Sequence, residues 1–240
     1  MKFKFWEKGQ ASAAENSKWY ENLPIGRVGE YLDRPLALEY IGLGAKDQKV
    51  ALKAVELSDN TTTLKNIILN STDRIVRIHA FQKPQICDSQ ICLYHLAFAS
   101  EDNEIATMST GRIEDPKMLA VIAITANNSQ ARIAACQLVA VMMSDEKQGQ
   151  IASASMQRIA LEVTDNFVSD MALRAVRDNE QILKEIVVFG KNPRARENAA
   201  WHISDKQWLR QTGLRLNQGS EEDQAVASKI GLKFMMLSQE

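Results

Sequence analysis

The chain has 240 residues, of which 45% are hydrophobic and 25% are charged, so it can bury a substantial apolar core. Its 29 basic and 30 acidic residues leave a net charge of −1, which argues against a dedicated nucleic-acid binder because such proteins usually carry a basic excess. No stretch approaches the roughly 20 apolar residues of a membrane span. The odd, low count of three Cys and an N-terminus, MKFKFWEKGQ, without an apolar run of signal-peptide length lead us to expect a cytoplasmic protein.

The beginning of the chain is predicted to be a lead-in to a regular domain. Residues 1–18 are expected to form a flexible segment, in which Lys2, Lys4 and Lys8 alternate with aromatic residues. This segment could dock on the chain itself, on a partner or on an anionic membrane surface, although each Lys contributes only about 1 kcal/mol at such a surface. Residues 19–32 are expected to cap the first repeat, because a terminal repeat lacks a neighbour on one face.

One spacing of residues then recurs six times. Each copy has apolar residues at its first and fourth positions, Asp or Asn nine positions after the first, and a small residue sixteen positions after the first. A fixed period in this range is typical of stacked supersecondary units. The copies start at Leu38, Leu64, Leu93, Leu119, Met156 and Leu183, with their Asp or Asn at Asp47, Asp73, Asp102, Asn128, Asp165 and Asn192.

Each feature of this pattern has a mechanical reason in a pair of short helices. The Asp or Asn is expected to be the N-cap of the second helix, where its side-chain oxygen accepts from free backbone N–H groups. The small residues let neighbouring helices approach closely; they are Ala54, Ala80, Ser109, Ala135, Ala172 and Ala199. The first helices of later pairs are predicted to be capped by Asp115, Asp178 and Asp205, and Asp33 with Pro35 is predicted to start the first helix.

The pattern L-x-x-I, D/N, V-R-x-x-A, I-x-D, clearest at Leu64–Ala80 and Leu183–Asp205, resembles the HEAT-like helical repeat family in its short two-helix form. The resemblance covers roughly residues 33–212. It implies an all-α fold, an α-solenoid with a right-handed superhelix of about six to seven helix pairs within residues 19–240, and a scaffold or binding role. It also implies that the Arg after the second helix's first apolar residue bonds to neighbouring turns, as Arg77, Arg132 and Arg196 would; Ala51, Ala106 and Ser169 depart from this.

Two later regions depart from the regular period. About eleven extra residues near 142–152 predict a long first helix that is preceded by, or includes, a projecting turn, with Gly149 as the one residue that disfavours helix. An insertion in a repeat array often lies on a functional face, although simple length variation explains it equally well. Residues 221–237 are predicted to form a closing helix that is capped by Ser220 and could break at Gly231.

The sequence gives little sign of catalytic chemistry. His79, Cys87, Cys92 and His95 lie close together, but the Cys-x4-Cys-x2-His spacing is not a common structural zinc pattern. There is no recognisable nucleophile motif and no Gly-rich phosphate loop. We therefore expect a non-enzymatic protein with no catalytic residues, no metal and no cofactor.

The second helices are the expected functional face. Ile78, Met108, Ile133 and Met171 occupy nearly equivalent positions and would form an apolar strip for a protein or peptide partner, unless they pack against adjacent helices. The remaining predicted partner-binding residues are Arg132, Arg174, Arg196 and Trp201. The alternative function is a HEAT-like nucleic-acid-binding protein or DNA glycosylase, which would need a continuous positive face formed by Arg132, Arg174, Arg194 and Arg196. Trp201 could instead be a core residue at the end of the array.

Overall fold

The computed structural model describes residues 18–239, so the predicted flexible segment with Lys2, Lys4 and Lys8 lies almost wholly outside the described residues. From residue 18 to 239 the chain forms helices and connecting turns, with no strand. This confirms the prediction of an all-α fold. The described residues divide between Cys92 and Leu93 into two compact units, here called the N-terminal unit and the C-terminal unit.

The helices follow one another with short connections, and most of them are 8 to 11 residues long. The N-terminal unit contains a 3-10 helix (Ile25–Tyr31), α1 (Pro35–Gly44), α2 (Gln48–Leu57), α3 (Thr61–Asn70), α4 (Arg74–Phe81) and α5 (Pro84–Cys87), and the division falls within α6 (Gln90–Ala99). The C-terminal unit contains α7 (Asn103–Thr110), α8 (Pro116–Thr125), α9 (Ser129–Met142), α10 (Gly149–Glu162), α11 (Asn166–Val176), α12 (Glu180–Phe189), α13 (Pro193–Trp201), α14 (Lys206–Leu216) and α15 (Glu221–Gln239).

Within each unit most helices pack against the next helix in the chain and against the helix two places further along. In the N-terminal unit, α1 packs against α2 and α3, and α2 packs against α4. In the C-terminal unit, α8, α10 and α12 pack in sequence in one layer, whereas α7, α9, α11, α13 and α15 pack in sequence in the other. The second helices of successive pairs within each unit therefore lie side by side.

The repeated apolar positions form the core. The first and fourth positions of all six copies are buried, among them Leu119, Ile122, Leu183 and Ile186. The small residues at the seventeenth positions are buried as well. Burial of each Leu or Ile side chain contributes about 1.5–3 kcal/mol to folding. Because one hairpin cannot cover these side chains by itself, this contribution depends on the neighbouring pairs.

All six predicted caps of the second helices are confirmed. The side-chain oxygen of each residue accepts hydrogen bonds from backbone N–H groups two or three positions further along, as Asp165 does from Phe167 and Val168 at 3.0 Å each. The six capping residues are Asp47, Asp73, Asp102, Asn128, Asp165 and Asn192. Asp115 and Asp205 cap their first helices as predicted.

Two predicted caps are wrong. Arg34, and not Asp33, occupies the N-cap position of α1, where no side chain bonds to the helix start; Pro35 alone marks the first turn. Helix α12 starts one residue later than predicted, since Asn179 has extended backbone angles and its oxygen accepts from the Ile182 N–H at 3.2 Å. Asp178 has a side chain that is 96% exposed, consistent with a position outside the helix.

The long first helix near residues 142–152 is preceded by a turn, which is one of the two predicted forms. Helix α9 extends to Met142, a turn follows, and α10 begins at Gly149, so this glycine is the first residue of the long helix. A Cβ atom at Gly149 would lie 2.7 Å from the Met143 carbonyl oxygen, which explains why glycine fits there. In α15 the helix continues through Gly231, and Ser220 accepts from the Asp223 N–H at 3.2 Å as a cap.

Candidate partner-binding site on the second helices

Two of the arginines predicted to bind a partner are committed to contacts within the C-terminal unit. The Arg132 guanidinium donates to the Ala126 carbonyl at 2.8 Å and pairs with Asp165 at 3.0 Å. Arg196 is only 7% exposed; it donates to the Val187 carbonyl at 2.8 Å and pairs with Asp223. Both arginines bond to neighbouring turns, as the resemblance implied.

The position of Arg196 changes its interpretation. The hydrogen bond from Arg196 lowers the pKa of Asp223, so that carboxylate stays ionised and paired. A buried guanidinium with these two partners has little capacity to contact anything outside the chain. The prediction that Arg196 binds a partner is therefore replaced by a structural role, in which it joins α13 to the start of α15.

The predicted apolar strip is neither core nor fully exposed. Ile78 lies on α4 in the N-terminal unit, whereas Met108, Ile133 and Met171 lie on α7, α9 and α11 of the C-terminal unit. All four side chains are half-buried. Since α7, α9 and α11 pack in sequence, the last three residues occupy one layer of helices, and each leaves part of its side chain accessible.

On α9 and α11, two more exposed apolar residues were missed by the sequence analysis. Phe167 on α11 is 60% exposed and Val141 at the end of α9 is 73% exposed. Phe167 precedes Met171 by four residues, and Val141 follows the half-buried Leu138 by three, so each has an apolar neighbour on its own stripe. Val141 lies eight residues beyond the predicted Ile133, about two helical turns further along α9. Counting in steps of four away from the predicted residues would have found both.

A cleft open to solvent lies beside this stripe, between α11 and α13. Its volume is about 670 Å³. The lining carries three arginines against one carboxylate, together with an indole, an imidazole and an amide. The lining residues are Asp170, Leu173, Arg174, Arg177, Arg194, Asn198, Trp201 and His202.

The charges of the cleft are only partly compensated. The Asp170 carboxylate pairs with Arg194 at 3.2 Å and accepts from the Asn198 amide at 3.4 Å. Among the described residues, Arg177 pairs only with the strongly exposed Asp178, at 3.7 Å, and such a pair contributes little in water. Arg174 is exposed and has no ion pair among residues 18–239. The cleft therefore keeps a local excess of positive charge in a chain that is nearly neutral.

The two tryptophans near the end of the array have different surroundings. Trp201, at the end of α13, is half-buried and lines the cleft. Trp208, on α14, lies under the Lys184 ammonium, whose nitrogen is 5.7 Å from the ring centroid. Lys184 also donates to Asp205 at 2.8 Å, which lowers the pKa of that carboxyl group. Trp201 is thus the tryptophan that is placed to contact a ligand.

The two cysteines and two histidines that the sequence analysis considered as metal ligands differ in burial. Cys92 is buried and Cys87 is half-buried, with its thiol 3.7 Å from the Gln82 carbonyl, whereas His79 and His95 are exposed. In the described part of the chain, no three His, Cys, Asp or Glu side chains come together as metal ligands would. None of the helices between residues 18 and 239 combines the length and apolarity that a membrane crossing needs.

Comparison with known proteins found no matching family model, no matching curated protein and no matching solved structure. The surface of the second helices is therefore the main source of information on what the chain binds.

Proposed function

We propose that the chain is a non-enzymatic α-solenoid of HEAT-like helix pairs, a scaffold that binds a peptide segment of a protein partner along the second helices of its C-terminal unit. One observation carries the proposal. Helix α11 presents Phe167, Met171 and Arg174 at intervals of four and three residues, which puts an exposed aromatic, a half-buried thioether and an exposed cation on one stripe.

Exposed apolar side chains on adjacent helices favour the binding of a partner, because leaving them in contact with water is unfavourable. Scattered apolar residues are normal on a surface, but Phe167 and Val141 lie on adjacent packed helices, each with a half-buried apolar neighbour on its own stripe. Met171 adds an adaptable side chain that suits a binding surface. The neighbouring cationic cleft supplies charge, so the fitting occupant is a peptide with both apolar and acidic residues.

Selection from a random peptide display library tests this function. We expect the selected peptides to bind the wild-type chain and to lose affinity about tenfold or more with the Phe167→Asp, Val141→Asp double variant, because hot-spot apolar contacts carry most of a binding energy. Phe189→Asp is the matched control, since Phe189 is 72% exposed but lies on α12, in the other layer. Failure to select any binding peptide, or equal losses in the control and the double variant, contradicts the proposal.

The alternative of nucleic-acid binding, including glycosylase activity, has less support. It requires a continuous positive face, yet Arg132 is paired with Asp165 and Arg196 is buried against Asp223. Arg174 and Arg194 remain, and Arg194 is shared with Asp170. A local group of arginines beside one Trp, in place of a continuous positive face, suits a single anionic group better than a backbone of successive phosphates.

A further inference from the structure

We propose that the cleft between α11 and α13, lined by Arg174, Arg177, Arg194 and Trp201, receives a carboxylate or phosphorylated side chain of a bound peptide. This inference rests on the proposed function and names the chemistry of its ligand. An oxyanion group is the common feature of the two sources, and arginine pairs with both through parallel N–H donors.

The distribution of charge in the cleft favours a single anionic side chain. Asp170, on α11, pairs with Arg194 and accepts a hydrogen bond from the Asn198 amide. These contacts fix the side chains of Arg194 and Asn198 before any ligand binds. Arg174, in α11, and Arg177, the residue that follows the end of α11, are three positions apart and keep their charges largely uncompensated. A ligand oxyanion would therefore replace water around these two guanidinium groups, and the one ion pair that it would compete with is the exposed pair of Arg177 and Asp178.

Trp201 adds an aromatic side chain to the lining of the cleft, from α13. Its indole is half-buried at the end of α13, next to the exposed His202. An aromatic wall excludes water from one side of an ion pair, and this strengthens the attraction between a guanidinium and an oxyanion. The cleft thus combines charge with partial desolvation, which scattered surface arginines do not provide.

The stripe on α11 sets a spacing for the ligand. Phe167 and Arg174 are seven residues apart, which is about 10 Å along a helix at 1.5 Å per residue. An extended peptide advances about 3.3 Å per residue. A peptide that lies along α11 should therefore place its acidic residue about three positions from its apolar residue.

Fluorescence anisotropy with a labelled probe peptide, Gly-Ser-Leu-Ser-Gly-Glu-Glu-Ser-Gly, tests the inference on the full chain. We expect it, and a version with phosphoserine in place of the glutamates, to bind about tenfold tighter than a version with glutamine. Arg174→Glu should abolish this preference. Arg210→Glu is the control, because Arg210 is exposed on α14, outside the cleft, and should leave the preference unchanged.

The outcomes separate this inference from the proposed function. If display selection yields peptides that depend on Phe167 but the glutamate and glutamine probes bind equally, the inference is wrong and the peptide-binding function stands. If Arg210→Glu and Arg174→Glu weaken binding equally, attraction is non-specific and the inference is again overturned. Tighter binding of oligo-dT than of either acidic probe would replace it with a nucleic-acid ligand, and absence of any peptide binding overturns both proposals.

Discussion

The side-chain amide of Asn192 donates a hydrogen bond to the side-chain oxygen of Asn166 at 2.9 Å. It also donates to the Thr164 carbonyl at 2.8 Å, while the Asn192 oxygen accepts from the Ala195 N–H at 2.9 Å. One residue thus caps α13 and fastens it to the start of α11. The six capping positions therefore do more than terminate helices, because several of them also join neighbouring pairs.

The joining hydrogen bond runs in opposite directions at the two Asn caps and at two of the Asp caps. Asn128 behaves like Asn192, since its amide donates to Asn103 at 3.0 Å. At Asp73 and Asp165 the donor comes from the preceding pair instead, as Gln48 donates to Asp73 at 2.7 Å and Arg132 to Asp165 at 3.0 Å. The two residue types are equivalent as caps, but they are not equivalent as links.

Asn192→Asp should destabilise the chain, although it preserves the cap. Aspartate cannot donate, so the Thr164 carbonyl and the Asn166 oxygen would lose their donor and face a carboxylate. We expect the free energy of unfolding to fall by about 1–3 kcal/mol. Urea unfolding followed by circular dichroism measures the change.

Asn60→Asp is the control for that substitution. Asn60 is an exposed cap whose oxygen accepts from the Thr63 N–H at 3.0 Å, and its amide donates to no residue between 18 and 239. A carboxylate there is favoured by the helix dipole, so this variant should be neutral or more stable by a few tenths of a kcal/mol, on the order of 0.3. Equal effects of the two substitutions would show that the hydrogen bonds from the Asn192 amide to Thr164 and Asn166 do not contribute to stability.

Acid should weaken the folded state through the Asp caps. Hydrogen bonding from Gln48 lowers the pKa of Asp73, and bonding from the Val168 N–H together with Arg132 lowers the pKa of Asp165. A carboxyl group whose folded pKa is lowered stabilises the fold above its unfolded pKa, about 3.9, and this stabilisation is lost as the pH falls through the folded pKa.

Asp165→Asn provides the measurement. It removes one titrating cap, so the loss of unfolding free energy between neutral pH and about pH 3 should be smaller than in the wild type. The variant should also be less stable at neutral pH, because it gives up the Arg132 ion pair. Identical acid dependence in the two proteins would mean that Asp165 has the same pKa folded and unfolded.

Two glycine substitutions should have opposite signs. A Cβ atom at Gly190 would lie 2.6 Å from the Ile186 carbonyl oxygen and 3.2 Å from Cγ of Arg196, so Gly190→Ala should cost about 1–3 kcal/mol of stability. At Gly231, inside α15, a Cβ atom meets nothing within 4 Å. Gly231→Ala should therefore add about 0.5–1 kcal/mol through helix propensity. Thermal unfolding of both variants tests the pair, and a destabilised Gly231→Ala would mean that α15 needs its glycine.

The part of the fold that the sequence predicted is the part encoded by short spacings. Asp165 and Val168 are three residues apart, and the core residues Leu183 and Ile186 are also three apart, so a single helical turn connects pattern to structure. The contacts that determine which arginines are buried and paired are between residues far apart in the sequence. Arg196 meets Asp223 across 27 residues, a pairing that no local pattern encodes.

The candidate site shows the same limit. Met171 and Arg174 follow from the position of the second helices, but the cleft depends on how closely α11 and α13 approach, and on Asp170 bridging to Arg194. Phe167 was overlooked because it directly follows the first helical residue of α11, a position that the repeated pattern of core residues does not specify. The sequence thus located the layer of helices that carries the proposed site, whereas packing between pairs determines which of its residues remain accessible.

The thiol of Cys136 offers a test of how tightly the second helices stay packed. It is buried between α9 and α11, 4.0 Å from the Val168 carbonyl, and burial raises its pKa to about 12. At mildly alkaline pH a chain in which Cys136 is the only cysteine should therefore react with a thiol reagent only through local opening. Asp165→Ala removes the cap of α11, worth about 1 kcal/mol, and should speed this labelling about fivefold. Asp205→Ala, which removes the cap of α14, should leave the rate unchanged, and rapid labelling of the unaltered fold would show that α9 and α11 are not held together at this point.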